Sequence, residues 1–195
     1  MNGSDATRNR RTDMDYGACS YRRFLDGDEK AFDDIINGYF RSLVFFIDGY
    51  VHDVHTAEDI AIDVFSELLA HGGKYNFKVS LKTYLFMLGR SRALDFIRHN
   101  KKIIFTDLSE ADKCADEEQL EEQILTSERK RAVHSALERL PRDMREVLHL
   151  IYFEDMTYSE AAKIMKKSRK QIDNLLYRAK KELRTYINED GDIIK

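Results

Sequence analysis

Apolar side chains recur at helical spacing along most of this 195-residue chain. For example, Phe32, Ile35 and Tyr39 occupy positions i, i+3 and i+7, which share one face of an α-helix. The chain contains one proline, Pro141, and nine glycines, too few turn-forming residues for a turn-rich β-sandwich. The repeated spacing therefore predicts an all-α fold.

Charge divides the chain into distinct segments. The whole chain carries a net charge of −3, whereas residues 107–128 carry −8 and residues 129–187 carry +7. Blocks of like charge indicate tails or partner-binding segments rather than a fold. An ordinary solvated helix near residues 117–125 remains an alternative for part of the acidic run. We predict a disordered tail (1–20), a small helical domain (21–100), an acidic linker (101–126), a second small helical domain (127–187) and a C-terminal tail (188–195).

Local signals predict where several helices begin and end. Gly38 is expected to separate two helices of the first domain. Thr56 and Asp59 have the spacing of a capping box, which predicts a helix that begins at Thr56. Ser80 is expected to cap a long helix that ends near residue 99.

The C-terminal part of the chain carries the most informative pattern. Thr157 and Glu160 form a capping-box pair that begins a short helix, and residues 165–167 have the length of a tight turn. Ser168 then caps a second helix, with Gln171 at the reciprocal position. A short helix, a turn and a basic amphipathic helix are typical of a helix-turn-helix whose second helix enters the DNA major groove. A helical hairpin with a merely solvated basic face is the alternative.

The second helix of this motif combines an apolar stripe with basic side chains. Between Lys166 and Arg184 there are eight basic residues against two acidic ones, Asp173 and Glu182. The first turns of such a helix meet base edges, and flanking Lys and Arg side chains meet phosphates. Asn and Gln side chains pair with adenine through two hydrogen bonds. The candidate DNA contacts are Ser168, Arg169, Lys170, Gln171, Asn174, Arg178 and Lys181.

Short motifs in both halves resemble the sigma-70 family of RNA polymerase sigma factors, specifically its extracytoplasmic-function (ECF) subfamily. Residues 145–147 (REV) and 156–162 (MTYSEAA) resemble region 4 of that family. Residues 57–59 (AED) resemble part of the region 2 helix that binds polymerase. Residues 82–85 (KTYL) and 90–98 (RSRALDFIR) resemble the region 2 helix that faces the −10 element. The two motif sets follow the order of the family and cover about residues 21–187.

The resemblance implies a transcription initiation factor that needs no cofactor and guides core RNA polymerase to promoter DNA. Region 2 would bind the β′ clamp helices through Glu58, Asp59, Asp63 and Phe65. It would also hold the opened −10 element through Tyr75, Asn76, Lys78, Lys82, Tyr84, Arg90, Arg92 and Arg98. Region 4 would read the −35 element through the helix-turn-helix candidates and would bind the β flap. An anti-sigma factor is a further implied partner.

The chain departs from the family pattern at several positions. Ile62, Tyr84 and Ser91 stand where the family usually has Gln, Trp and Asn. The turn of the helix-turn-helix usually carries Gly, whereas this chain has Lys166-Lys167, so one of these lysines is expected to adopt a positive φ. Asp173 stands where the family often has a basic residue. These departures leave the promoter sequence undetermined.

Rival functions depend on other features. His52 and His55 with Asp59 would suggest a metal site if one helix continued through them, but a helix break at His55–Thr56 argues against it. A two-domain helix-turn-helix regulator that binds duplex DNA without polymerase is the main alternative. A helical adaptor is a third possibility.

Compartment and chemistry follow from what the sequence lacks. It has no phosphate-binding Gly-rich loop and no nucleophile motif, so no enzymatic activity is expected. It has no apolar signal segment and no run of 18 apolar residues, so we expect a cytoplasmic protein without membrane insertion. Cys19 and Cys114 are expected to be reduced and unpaired.

Overall fold

The all-α prediction is confirmed. The structure, a computed structural model, describes residues 15–71, 73–106, 133 and 135–192, and no strand occurs among them. The chain divides into two compact units between Ala93 and Leu94. Among the described helices, none combines the length and the hydropathy that spanning a membrane requires.

Each unit is built from amphipathic helices. The first contains α1 (Tyr16–Leu25), α2 (Lys30–Val51), α3 (Val54–Ala70) and the beginning of α4 (Leu81–Thr106). The second contains the rest of α4, α5 (Arg142–Leu148), a π-helical turn (His149–Phe153), α6 (Tyr158–Met165) and α7 (Arg169–Asp192). The division between the units therefore falls inside α4.

Helices α2, α3 and α4 form the core of the first unit. Leu43 and Ile47 of α2 are fully buried, and the ring of Phe46 lies 4.9 Å from that of Phe86 on α4. Gly89 brings α4 unusually close to α2, because a Cβ atom there would lie 2.9 Å from Leu43 Cδ1. The missing side chain at Gly89 thus permits close helix packing.

Helix α1 begins within the predicted disordered tail. Tyr21 of α1 is fully buried, and its hydroxyl donates a hydrogen bond of 2.9 Å to the carbonyl of Leu68. At the start of the helix, Asp15 Oδ2 accepts a hydrogen bond of 2.8 Å from the Leu81 backbone N–H of α4. Because these contacts join positions far apart in the sequence, local periodicity does not reveal them. Cys19 lies in α1 as a half-buried free thiol, and Cys114 lies outside the described residues.

Two predicted helix boundaries in the first unit are wrong. Helix α2 continues through Gly38, because buried side chains before and after that exposed glycine hold one continuous helix against its neighbours. Helix α3 begins at Val54, and Asp53 caps it by accepting a hydrogen bond of 3.1 Å from the Thr56 N–H. The break between α2 and α3 lies at His52, whose φ is 55°, and not at His55–Thr56.

Helix α4 extends further than the sequence predicted. Its predicted cap is confirmed, because Ser80 Oγ accepts a hydrogen bond of 3.1 Å from the Thr83 N–H. The helix continues to Thr106, since neither proline nor glycine occurs between residues 100 and 106 to interrupt it. It therefore covers the beginning of the predicted acidic linker, residues 101–106. The rest of that linker, 107–126, lies outside the described residues.

A group of ion pairs joins α3, α4 and the loop between them. Glu67 lies 2.6 Å from Arg92 Nη2 and 2.8 Å from Lys74 Nζ, and Asp63 lies 3.6 Å from Arg92 Nη1. Hydrogen bonds from Lys74 and Arg92 lower the pKa of Glu67 from its ordinary value of 4.5 to about 2. Glu67 is therefore ionised in the folded state under all mildly acidic conditions.

The second unit packs α5, α6 and α7 around an apolar core. Val147, Leu150, Ile172 and Leu176 are among its buried side chains. Residues 135–138 are also helical. Helix α7 runs to Asp192 and so includes part of the predicted C-terminal tail, which carries no helix-ending proline.

The close contact at Gly89 makes a stability prediction. Gly89→Ala should destabilise the protein by about 1–3 kcal/mol, because the new methyl group meets the fully buried Leu43. Gly38→Ala is the matched control, because nothing lies within 4 Å of a Cβ at that helical position. The control should stabilise by about 0.5–1 kcal/mol. Urea denaturation followed by circular dichroism measures both values, and equal effects of the two substitutions would contradict the packing argument.

The lowered pKa of Glu67 leads to a second prediction, which concerns how the stability of the fold depends on pH. A carboxyl group whose folded-state pKa is lowered stabilises the fold above its unfolded pKa, and this contribution is lost as pH falls toward the folded value. Glu67→Gln should therefore lower the free energy of unfolding at pH 7, and the gap to the parent protein should narrow between about pH 4.5 and pH 2. Urea denaturation at pH 7, 5 and 3 measures the gap. Asp59→Asn, at an exposed position of the same helix, is the control. Its free energy of unfolding at pH 7 should differ much less from that of the parent protein.

Candidate nucleic-acid interface

The predicted helix-turn-helix begins with the expected capping box. The Glu160 N–H donates a hydrogen bond of 3.3 Å to Thr157 Oγ1, and the Thr157 N–H donates one of 2.8 Å to Glu160 Oε2. These reciprocal bonds satisfy backbone donors that the first helical turn leaves without partners. The start of α6 is therefore determined locally.

The turn between α6 and α7 has the predicted left-handed residue. Lys166 has a φ of 53°, and the next N–H, of Lys167, donates a hydrogen bond of 3.0 Å to the Ala162 carbonyl. Lys167 Nζ also lies 3.0 Å from Asp143 Oδ2 on α5. The turn that family members usually build with glycine is thus held here by a lysine pair and an ion pair to a neighbouring helix.

Helix α7 begins with a second capping box. The Ser168 N–H donates a hydrogen bond of 2.7 Å to Gln171 Oε1, and the Gln171 N–H donates one of 3.2 Å to Ser168 Oγ. The cap therefore occupies the amide oxygen that Gln171 would need to pair with adenine. The structure places both residues primarily in the cap, whereas Asn174 is exposed without such a role.

One side of α7 is buried and the other is open to solvent. Ile172, Leu176 and Ala179 are buried against α5 and α6. Tyr177, which the sequence prediction did not include among the site residues, is 72% exposed on the open side. Its position off the apolar stripe is the signal that could have identified it. The predicted contacts on this helix and its cap are all exposed: Ser168, Arg169, Lys170, Gln171, Asn174, Arg178 and Lys181.

In the first unit, the predicted −10 contacts on and after the loop before α4 differ in their exposure to solvent. Tyr75 is only 2% exposed, and its hydroxyl donates a hydrogen bond of 2.7 Å to the Val79 carbonyl. The structure therefore places Tyr75 in the core and away from any surface on which a base could stack. Asn76 and Lys78 are exposed, and Asn76 Oδ1 accepts a hydrogen bond of 3.1 Å from the Lys78 N–H. Tyr84 is half-buried, 5.1 Å from Tyr75.

Phe77 and Arg22, which the sequence prediction did not include among the site residues, form part of this loop surface. Phe77 adopts a φ of 58°, and its ring lies 4.6 Å from that of Tyr75. The Arg22 guanidinium, carried by the exposed side of α1, lies 4.8 Å from the centre of the Phe77 ring. Because Arg22 lies far from this loop in the sequence, no local signal placed a cation beside residues 74–79.

The basic residues predicted on α4 are not equally available to phosphates. Arg92 is held by Glu67 and Asp63 of α3, as described above. Arg98 is paired with Asp95 one turn before it. The other predicted contacts on this helix, Lys82 and Arg90, are half-buried, and Lys82 Nζ lies 5.8 Å from the ring of Phe86.

Helix α3 presents an acidic and partly apolar surface. Glu58, Asp59 and Asp63, three of the predicted polymerase contacts, are exposed. Ile62, which departs from the family pattern, is 52% exposed between them. Phe65 is buried, and its ring lies 5.9 Å from that of Phe40, so its side chain belongs to the core rather than to this surface.

Two features bear on the metal and flap hypotheses. Within the described ranges, no three side chains of His, Cys, Asp or Glu come together as metal ligands would. In the second unit, Tyr152 and Phe153 of the π-helical turn are exposed, whereas Leu148 is buried. The exposed apolar surface next to α5 therefore consists of the two aromatic residues.

Comparison with known proteins matches both units to one family. Residues 23–103 match sigma-70 region 2, and residues 130–183 match sigma-70 region 4. The ECF RNA polymerase sigma factor SigM of Bacillus subtilis (strain 168) is 26% identical over 157 residues, which cover 80% of this chain and 94% of SigM.

Solved structures share the fold. The sigma factor RpoE from Bartonella quintana, crystallised with the anti-sigma factor NepR, gives a TM-score of 0.65 at 20% identity over 82% of this chain and 98% of RpoE. CnrH, solved with the cytosolic domain of CnrY, gives a TM-score of 0.64 at 17% identity over 90% of this chain and 99% of CnrH. With both family regions present in order, the chain belongs to the sigma-70 family of RNA polymerase sigma factors, in its ECF subfamily.

Proposed function

We propose that this protein binds core RNA polymerase and directs it to promoters by recognising their −10 and −35 elements. The observation that carries the proposal is the presence of sigma-70 regions 2 and 4 in one chain, the second with an exposed basic recognition helix. The rival two-domain regulator is not favoured, because region 2 has no place in a protein that acts on duplex DNA without polymerase.

Helix α7 would enter the major groove at the −35 element. Its exposed cations, Arg169, Lys170, Arg178 and Lys181, would neutralise phosphates and set the position of the helix on the duplex. Asn174 is the exposed side chain on this helix best suited to pair with adenine. Affinity would come mainly from the cations, and sequence preference from the fewer side chains that reach base edges.

The loop before α4 would hold the opened −10 element. Removing a base from the stack costs a few kcal/mol of free energy, and contacts with the protein must offset that cost. Asn76 and Lys78 are exposed for hydrogen bonds, and the Arg22 guanidinium over Phe77 offers a cationic surface for stacking. In this proposal that surface would supply the stacking, because the Tyr75 side chain is buried.

The exposed face of α3 would bind the β′ clamp helices of polymerase. Glu58, Asp59 and Asp63 supply negative charge, and Ile62 supplies apolar area between them. Tyr152 and Phe153 would supply an apolar contact for the β flap. Electrostatic contacts of this kind increase association rate and specificity, while buried apolar area adds stability to the complex.

Regulation would come from an anti-sigma factor, as in the complex from which the RpoE structure was obtained. Such a partner would cover the polymerase-binding and DNA-binding surfaces. The protein would act in the cytoplasm, where polymerase and promoters are, and would itself catalyse no reaction. Catalysis of transcription would belong to polymerase.

Run-off transcription tests the proposed function. A pool of templates with randomised promoters, transcribed by core RNA polymerase, should yield specific transcripts only when the protein is added. Sequencing the active templates should reveal two preferred elements, because both regions would contact the same promoter. Binding to duplex DNA without polymerase, together with no added transcripts, would instead favour the two-domain regulator.

The acidic face of α3 makes a further prediction. Asp59→Lys should weaken binding to core polymerase by about tenfold or more, because it reverses charge at the centre of the proposed contact. Asp33→Lys, a charge reversal at an exposed position of α2, is the control and should leave the affinity unchanged. Fluorescence anisotropy with labelled protein measures both affinities. Equal affinities for the two variants would exclude this face of α3 as the polymerase contact.

A further inference from the structure

An exposed acid lies among the cations of the recognition helix. Asp173 follows Arg169, the first residue of α7, by four positions and precedes Tyr177 by four, so the three side chains share one row of the helix. All three are exposed. Asp173 therefore occupies the N-terminal part of the helix, which in a helix-turn-helix contacts base edges.

The carboxylate of Asp173 remains open although cations surround it. Arg169 and Lys170 precede it by four and three residues, the spacings at which helical ion pairs form. Even so, within the part of α7 whose side chains are described, no salt bridge or hydrogen bond occupies this carboxylate. The acid is thus not explained as a partner for the neighbouring basic residues.

A carboxylate in this position meets a restricted choice of DNA groups. Phosphates repel it, and so do the acceptor atoms of guanine and thymine in the major groove. Adenine offers an amino group next to its N7 acceptor, which disfavours a second acceptor beside it. In this groove cytosine presents its amino group without an acceptor atom of its own beside it. Asp and Glu side chains can accept a hydrogen bond from that amino group. Cytosine is therefore the base that an aspartate reads best.

We infer that Asp173 is a specificity-determining residue that selects a cytosine within the −35 element. The inference rests on the proposed function and adds to it the chemistry of one base pair. The acid would weaken non-specific attraction to phosphates along the face of α7 and favour DNA sites that supply the amino group. Basic residues around it would hold the helix in the groove while Asp173 discriminates between sites.

Run-off transcription from templates randomised only across the −35 element tests this inference. The unchanged protein should favour cytosine at one position by about fivefold or more over other bases. Asp173→Ala should abolish the preference at that position and leave the others in place. Asp173→Asn should move it toward adenine, because an Asn side chain pairs with adenine through two hydrogen bonds.

Glu182→Gln is the matched control, since it removes one negative charge from the same helix further from its N-terminus. It should leave every base preference unchanged. Circular dichroism of each variant checks that α7 remains folded.

Two outcomes would overturn the inference. If Asp173→Ala raised transcription from all templates without altering any base preference, Asp173 would only repel phosphates. Transcripts with the unchanged protein but no cytosine preference would also overturn the inference, whereas no transcripts at all would overturn the proposed function itself.

Discussion

Burial of one side of each helix is the constraint on which the functional surfaces depend. Ile172 and Leu176 anchor α7 in the core of the second unit, and this anchoring turns the basic side of the helix outward. Ile60 and Val64 do the same for α3 and leave its acidic side exposed. The two helices thus expose surfaces of opposite net charge, basic on α7 and acidic on α3.

Charge on an exposed surface is not equivalent to availability for a partner. Arg92 belongs to the basic series on α4, yet it is held by Glu67 and Asp63 and contributes to packing between α3 and α4. Gln171 has the amide group that suits adenine, yet its oxygen caps the helix to which it belongs. Stability and recognition compete for the same polar groups, so a contact assigned from residue type alone can be misplaced.

Helix ends were predicted well where the stabilising groups are close in sequence. The Thr157–Glu160 and Ser168–Gln171 pairs satisfy backbone groups within one turn, and a residue of the Lys166-Lys167 turn has the positive φ that the sequence required. Helix α2 shows the opposite case, because packing on both sides of Gly38 outweighs the weak helix propensity of one glycine.

The sequence by itself determined the helical class, the helix-turn-helix and the family, because these depend on periodicity, on local capping and on short motifs in order. The tertiary structure alone decided which candidate side chains reach the surface. It placed Phe65 and Tyr75 in the core, and it brought Arg22 of α1 to the ring of Phe77. The physical reason is that burial and cation–aromatic contacts depend on residues distant in the chain, which no local pattern records.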